Sequence, residues 1–449
     1  LNEKSYNSLS DDYVKFIRYG QHFIEKNGSG VLAYISNNSF VDGIVFRKMR
    51  ENLLECFDKI YILDLHGNSK KREVAIDGST DQNVFDIMQG VSINIFIKTG
   101  DKKKNTLGNL FHYDLYGKRN LKYDYLNSNT LKSIDWKLLN PNKPYYFFTQ
   151  KEFADREKYE NGFKVDSIFL QSNAGLATEF DKFVIKDSKK EAQALLNDLK
   201  TEDVQSILIK YNIDSKKVKK IKKAIADVSK NNPIITAIDY RPFDHKYTVY
   251  TGASNGVMGR PRDGIMKHLL KENIALLTCR QQTSFDFQHA FISNKISERC
   301  SVSLQTGEVN YIFPIYLYPE SNGQQTIEQS EERTPNLNPE IVNQIAENLG
   351  LTFTNEKETT ENTFAPIDIL DYIYAVLHSP TYREKYKEFL KIDFPRVPYP
   401  KEKDTFWQLV KLGGEIRQIH LLESPTVEQY ITQYPIDGDN FVNRKITKS

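Results

Sequence analysis

The apolar run Val31-Leu-Ala-Tyr-Ile35 is followed directly by Ser36, Asn37, Asn38 and Ser39. Such side chains donate and accept hydrogen bonds without carrying charge, and in open α/β sheets the loops at the carboxyl ends of strands line the ligand crevice. Asn37 and Asn38 are therefore candidates for a catalytic crevice. The same residues also suit a capped turn from a strand into a helix that starts at Asp42.

Other stretches invite chemistry less directly. Gly252-Ala-Ser-Asn-Gly-Val-Met-Gly259 is followed by Arg260-Pro-Arg262. No Gly-Lys-Ser/Thr comes next, which excludes a Walker loop. A flexible loop feeding two guanidinium groups suits phosphate or guanine contacts, and it equally suits a surface turn. Gly28-Ser-Gly-Val-Leu-Ala33 fits a loose dinucleotide fingerprint, but it follows a helical pattern and opens a strand, so it reads as a glycine helix stop. Asp101-Lys-Lys103, Asp187-Ser-Lys189 and Asp214-Ser-Lys216 are fragments of a nuclease Asp-x-Lys element without a preceding partner carboxylate on an apolar strand. No His, Cys or carboxylate set has metal-ligand spacing, so no metal site is expected. Cys56, Cys279 and Cys300 are too scattered for a disulfide framework or a zinc site.

The surrounding pattern is α/β. Tyr13, Phe16, Ile17, Gly20, Phe23 and Ile24 recur at helical spacing up to Asn27-Gly28, and Val31 to Ile35 follows as a strand. Val45, Phe46, Met49, Leu53, Leu54 and Phe57 mark a second amphipathic helix before the buried strand Ile60 to Leu65. Helix, strand, helix, strand is the order of a parallel sheet wrapped by helices. Val91, Ile93, Ile95 and Ile97 alternate with Ser92, Asn94, Phe96 and Lys98, the period of a half-covered strand. The long polar loop from His66 to Asn83 reads as functional or mobile. After Gly100 the runs become short and irregular, with no further strand assigned to this sheet.

The remainder divides by composition. Residues 101–320 read as a mixed α+β region with a Lys-rich helical insertion near 187–231. Residues 321–364 read as an acidic polar link with one helix, Pro339 to Leu349, and residues 365–449 as a helical closing part. Residues 186–230 hold 12 Lys against 7 acids, residues 235–300 hold 9 Lys or Arg against 6 acids, and residues 319–364 hold 9 Glu against one Lys and one Arg. That segregation points to a polyanionic partner for the middle of the chain. A mean hydropathy of -0.55 and the lack of a long apolar run imply a soluble, cytoplasmic protein. Leu1 in place of an initiator Met implies a fragment of something longer.

Taken in order, the helix of Asp11 to Asn27, the strand ending Ser36-Asn-Asn-Ser-Phe40, the helix through Met49, the strand Ile60 to Leu65 and Asn83-Val-Phe-Asp-Ile-Met-Gln-Gly-Val-Ser-Ile-Asn-Ile-Phe-Ile97 resemble the second half of an amino-group DNA methyltransferase. The resemblance is to the adenine-N6 enzymes fused into single-chain restriction-modification proteins, the Type ISP and related Type IIG groups. Tyr240-Arg-Pro-Phe-Asp244, Gly259-Arg-Pro-Arg262, Asn294-Lys295, Tyr311 to Pro319 and Leu377-His-Ser-Pro-Thr-Tyr-Arg383 resemble the target-recognition part of the same proteins. The implied fold is a partial Rossmann-like sheet followed by a mixed α+β recognition domain.

The resemblance implies S-adenosylmethionine as methyl donor, although the family's glycine-containing loop and its Asn/Asp-Pro-Pro-Tyr/Phe tetrad are both absent; Asn140-Pro-Asn-Lys-Pro-Tyr145 is only an echo of the latter. The isolated chain is accordingly expected to be inactive. The implied partners are duplex DNA, the upstream methyltransferase half, and translocase and nuclease regions. Phe85 takes the place of the family aromatic that stacks on an adenine rotated out of the duplex. The DNA-contact candidates are Arg241, Lys246, Arg260, Arg262, Lys267, Arg280, Gln281 and Lys295. A non-catalytic DNA specificity module and an RNA methyltransferase fragment are the alternatives.

Overall fold

The computed structural model describes residues 7–69, 73–75, 77–103, 105–151, 155–282, 287–302, 308–319, 332–433 and 436. Residues 321–331 of the expected acidic link lie outside these.

Helix α1 (Asp12–Asn27) ends at Gly28, whose left-handed φ of 84° lets its N–H reach the Ile24 carbonyl. Ile17 and Ile24 of its apolar stripe are buried, whereas Phe16, Tyr19 and Phe23 stay exposed. Strand β1 (Gly30–Asn37), helix α2 (Arg47–Cys56) and strands β2 (Lys59–Asp64) and β3 (Val91–Lys98) follow. Strand β3 runs antiparallel to both β1 and β2 and lies between them, so β1 and β2 are parallel to each other. Strand β1 is the sheet edge, and alternate residues Val31 and Ile35 are exposed along it.

The placement of β3 corrects the half-covered reading. Ser92, Asn94 and Phe96 are its fully buried face, while Ile93, Ile95 and Ile97 are partly covered. A polar pair survives there because it is hydrogen-bonded: Ser92 Oγ donates to Asn94 Oδ1 at 2.9 Å, and Asn94 Nδ2 donates to the Tyr34 carbonyl and to Ser36 Oγ, both at 3.1 Å.

The sheet also runs on past residue 100. Strand β4 (Asn109–Asp114) pairs parallel with β2, helix α3 (Arg119–Ser128) follows, and β5 (Lys137–Leu139) closes the order β1-β3-β2-β4-β5. Tyr146 and Phe148 pack into the same core as Phe40, Leu53, Ile60 and Phe96. Arg50, fully buried beside them, donates to the carbonyls of Phe40, Gly43, Tyr145 and Tyr146. The unit expected over residues 1–100 thus shares its sheet and core with residues 101–148.

Two four-stranded sheets build the next part. One has the order β12-β8-β9-β7 and the other β11-β10-β13-β6, from β6 (Asn173–Ala174), β7 (Ile185–Lys186), β8 (Ile234–Arg241), β9 (Asp244–Tyr250), β10 (Ala275–Cys279), β11 (Ala290–Ser293), β12 (Ile296–Ser297) and β13 (Asn310–Pro314). Leu176, Ile238, Met266, Leu277, Ile296 and Ile312 fill the space between them. The Lys-rich insertion forms α4 (Lys189–Thr201), α5 (Val204–Lys210) and α6 (Val218–Lys230) around its own core of Leu195, Leu199, Ile207, Ile221 and Val228. Asp227 on the buried side of α6 accepts from Thr251 Oγ1 and from the Val257 N–H, which fastens the helix to the glycine loop.

Helices α7 (Pro339–Leu349), α8 (Pro366–His378) and α9 (Lys403–His420) complete the chain's largest core. The closing part holds this long helix beyond the Pro-rich stretch from Phe394 to Pro400. It crosses α8 where a Cβ on Gly413 would lie 1.9 Å from the Asp371 carbonyl oxygen, and Arg417 clamps the Asp371 carboxylate from Nε at 2.7 Å and Nη2 at 3.1 Å.

Candidate functional site

Polar side chains converge at the carboxyl ends of the parallel strands β1, β2 and β4. Asn38, just beyond β1, donates from Nδ2 to Asp64 Oδ1 at 2.8 Å, and the same oxygen accepts the His66 N–H at 3.0 Å. His66 has a left-handed φ of 50°, stacks on Tyr116 with ring centroids 3.8 Å apart, and meets Asp114 Oδ1 from Nε2 at 2.7 Å. Burial alone would push the His66 pKa down, but the hydrogen bond to Asp114 and the nearby charges of Asp64 and Glu73 raise it to about 10, so the ring is an imidazolium at neutral pH. Burial pushes the Asp64 carboxyl up, with His66 opposing. His112, at the Asp114 end of β4, is driven toward its neutral form by burial.

The loop carrying Phe85 lies beside this cluster. Asn38 N–H donates to the Gly90 carbonyl at 3.0 Å, and a Cβ on Gly90 would come within 2.8 Å of Asn38 Nδ2. Asn83 Nδ2 bridges the Gly67 and Gln89 carbonyls, and its Oδ1 accepts the Phe85 N–H at 2.9 Å. Gly67 is required at its place: φ is 83°, and a Cβ there would stand 2.3 Å from Asn83 Cα. Helix α3 clamps the outside of the loop, with Arg119 donating to the Asn83 and Phe85 carbonyls and to Asp86, and Tyr123 donating to the Val84 carbonyl. Below, the buried Lys122 ammonium donates to Asp81 and to the Leu65 and Gln82 carbonyls. Phe85 itself is 43% exposed and lines an open groove of about 980 Å³ with Gly67, Asn83, Met88 and Arg119.

Of the residues proposed for the crevice, Asn38 sits in the cluster and Phe85 in the adjacent groove. Asn37 does local work: its Oδ1 accepts from the Ser39 N–H and Oγ at the turn. Asp64, His66, His112 and Asp114 were not singled out by spacing. The signal was the pair of period-two doublets Asp64-x-His66 and His112-x-Asp114, which become neighbours only when β2 and β4 pair in register.

The DNA-contact candidates fall into separate groups. Arg241 lies over the Tyr240 ring at 3.8 Å and pairs with the buried Glu298 at 3.0 Å, not with Asp239 or Asp244. Lys246 is held by Asp187 at 2.6 Å and by Asp244 at 3.4 Å. The Arg260 side chain is 59% exposed and faces Glu179 at 3.6 Å, while its backbone pairs with Ala177. Arg262 has φ 57° at the start of a short helix, and its Nε is buried without a hydrogen-bond partner among the described residues. Lys267 lies in the 3-10 turn that follows. Arg280 pairs with Asp393 at 3.0 Å and Gln281 donates to the Ile392 carbonyl, on the side of the large core. Lys295 donates to Asn294 at 2.6 Å. Asn140 to Tyr145, directly after β5, lines a separate cleft of about 460 Å³ that reaches Asp393 and Phe394. No helix among the described residues is long and apolar enough to cross a membrane.

The same architecture is found in solved structures. The chain superposes with a TM-score of 0.69 at 23% identity on the ATP-dependent Type ISP restriction-modification enzyme LlaBIII bound to DNA, covering 94% of this chain and 27% of that one. For the DrdV–DNA complex the values are 0.67, 21%, 94% and 40%. For a nuclease-deletion mutant of the Type ISP restriction-modification enzyme LlaGI in complex with a DNA substrate mimic they are 0.64, 21%, 94% and 32%. The chain thus spans less than half the length of each of these proteins. No curated protein matches it. Residues 167–449 match the Type ISP C-terminal specificity domain, and the chain belongs to that family.

Proposed function

We propose that the chain recognises a specific duplex DNA sequence and contributes half of an adenine-N6 methyltransferase crevice within a larger restriction-modification enzyme. The observation that carries this is the clustering of Asn38, Asp64 and the Phe85 groove at the carboxyl ends of parallel strands, where open α/β sheets bind ligands. Duplex DNA as partner is supported by the DNA-bound state of the solved relatives.

In this reading S-adenosylmethionine supplies the methyl group. Gly28 and Gly30 do not form its seat, because Gly28 closes a helix and the strand opens immediately after it. What this chain supplies is placement. Phe85 offers an exposed aromatic face to a base taken out of the stack, Arg119 holds the loop that carries it, and Asp64 fixes the Asn38 amide at the crevice wall.

The test is Phe85→Ala in the full-length enzyme. Methylation falls while duplex affinity is kept, since stacking on an extruded base is worth roughly 1–3 kcal/mol and acts after docking. A rise in 2-aminopurine fluorescence at the target position, present in wild type and lost in the variant, accompanies it. Unchanged methylation by a correctly folded variant refutes the assignment. A purely DNA-reading module, the reading favoured by the specificity-domain match over residues 167–449, would bind with the same sequence preference and show no change at Phe85.

A further inference from the structure

We propose that Asp64, His112 and Asp114 form a binding site for one divalent transition-metal ion, zinc foremost, joining the ends of β2 and β4. Asp64 and Asp114 are register partners on these parallel strands, and His112 precedes Asp114 by two residues on the same face. One ligating atom from each of the three lies within 4.8 Å of the others, and His112 Nδ1 is already 3.6 Å from Asp114 Oδ2.

His112 is 2% exposed, yet its Nε2 has no hydrogen-bond partner among the described residues. A buried imidazole nitrogen left unsatisfied is costly unless something else occupies it. Two carboxylates meet at this strand end, one from each of the paired strands. The supporting contacts are those a metal site needs, because ligand carboxylates are oriented by hydrogen bonds of their own. Asp64 Oδ1 is held by the Asn38 amide and the His66 N–H, and Asp114 Oδ1 by the His66 ring.

Access exists as well. An open pocket of about 410 Å³, lined by His112, Asp114, Trp136, Lys137 and Gln150, reaches two of the three ligands from solvent. One imidazole with two carboxylates favours zinc or manganese over magnesium or calcium, which prefer all-oxygen sets with more ligands, and three protein ligands leave a fourth position to water.

The experiment is calorimetric titration of Zn²⁺ into the 449-residue chain and into His112→Gln and Asp114→Asn, with Co²⁺ absorption as a second readout. One ion per wild-type chain is expected, with affinity at least about tenfold weaker in each variant. Co²⁺ should give ligand-field bands without the intense thiolate charge-transfer bands that Cys56, Cys279 or Cys300 would produce. No saturable binding, thiolate bands, or equal affinity in wild type and both folded variants overturns the proposal. The wild-type Co²⁺ spectrum decides the matter even if a variant fails to fold, and none of these results depends on methylation.

Discussion

Asn38 and Asp64, 26 residues apart, are joined by a 2.8 Å hydrogen bond in which the amide donates to a buried carboxylate. The bond ties the turn after β1 to the end of β2 across the intervening strand β3, so the crevice wall is fastened directly to the cluster behind it.

Asn38→Ala should therefore cost roughly 1–3 kcal/mol of folding stability, the range for a buried group left short of a partner. Asn37→Ala removes only a local turn contact and should cost about 1 kcal/mol or less. Urea denaturation of the two variants checks the ranking; equal losses would contradict the structural distinction between them.

Lys122 and Asp81 form an ion pair in which both side chains are fully buried. Removing one partner strands the other charge, so Lys122→Ala should destabilise by roughly 3–5 kcal/mol, whereas Lys122→Met with Asp81→Leu should recover much of that loss. The Lys122 ammonium also serves two carbonyls, which keeps the double variant below wild type. Denaturation midpoints of the single and double variants measure both effects.

Arg241 and Arg260 should separate on DNA. Arg241→Ala leaves the buried Glu298 without its ion pair, costing roughly 1–3 kcal/mol of stability and weakening binding to all sequences alike. Arg260 is exposed and its pairing with Glu179 is of the surface kind, worth under about 1 kcal/mol. If Arg260 reads a base, Arg260→Ala should lose roughly 1–3 kcal/mol on the cognate duplex and relax preference at one position. Binding to cognate and single-mismatch duplexes, repeated across salt concentrations, tells reading from phosphate holding.

His378 gives the large core an acid limit. Burial, helped by the Arg383 and His420 charges, lowers its pKa from 6.5 to about 4. The folded state holds the proton less tightly than the unfolded chain. The stability linked to the neutral ring is complete above pH 6.5 and is lost as the pH falls toward 4. Stability measured by denaturant at steps across that window should drop in wild type and drop less in His378→Gln.

Strongly periodic apolar segments were legible in the sequence: α1, β1, β2 and β3 all lie where the apolar spacing puts them. Strand β4 was not, because Asn109-Leu-Phe-His-Tyr-Asp114 mixes charge and aromatics in a run too short to show a period, and its membership in the sheet comes from pairing with a strand fifty residues earlier. Helix α9 was hidden by Gly413-Gly414, which lowers helix propensity but permits the close crossing with α8. The crevice was half visible. A polar tetrad after an apolar strand shows Asn38 from local pattern alone, whereas the His66–Asp114 contact joins residues 48 apart and needs the sheet to exist first. Several cations proposed for DNA contact, among them Arg241, Lys246 and Arg280, have carboxylate partners, since net charge over a window does not register which acids fold back onto it.

Strand β1 is an outer strand whose eight residues, Gly30 to Asn37, include no charge and no proline, and α1 next to it leaves Phe16, Tyr19 and Phe23 in contact with water. Charged side chains and prolines are the usual means by which an edge is kept from recruiting a stranger. Without them the row of amides and carbonyls along β1 that no described strand pairs with is a template, so the chain handled by itself at high concentration is prone to assemble edge to edge, and a lysine placed at Val31 is the simplest way to keep it monodisperse.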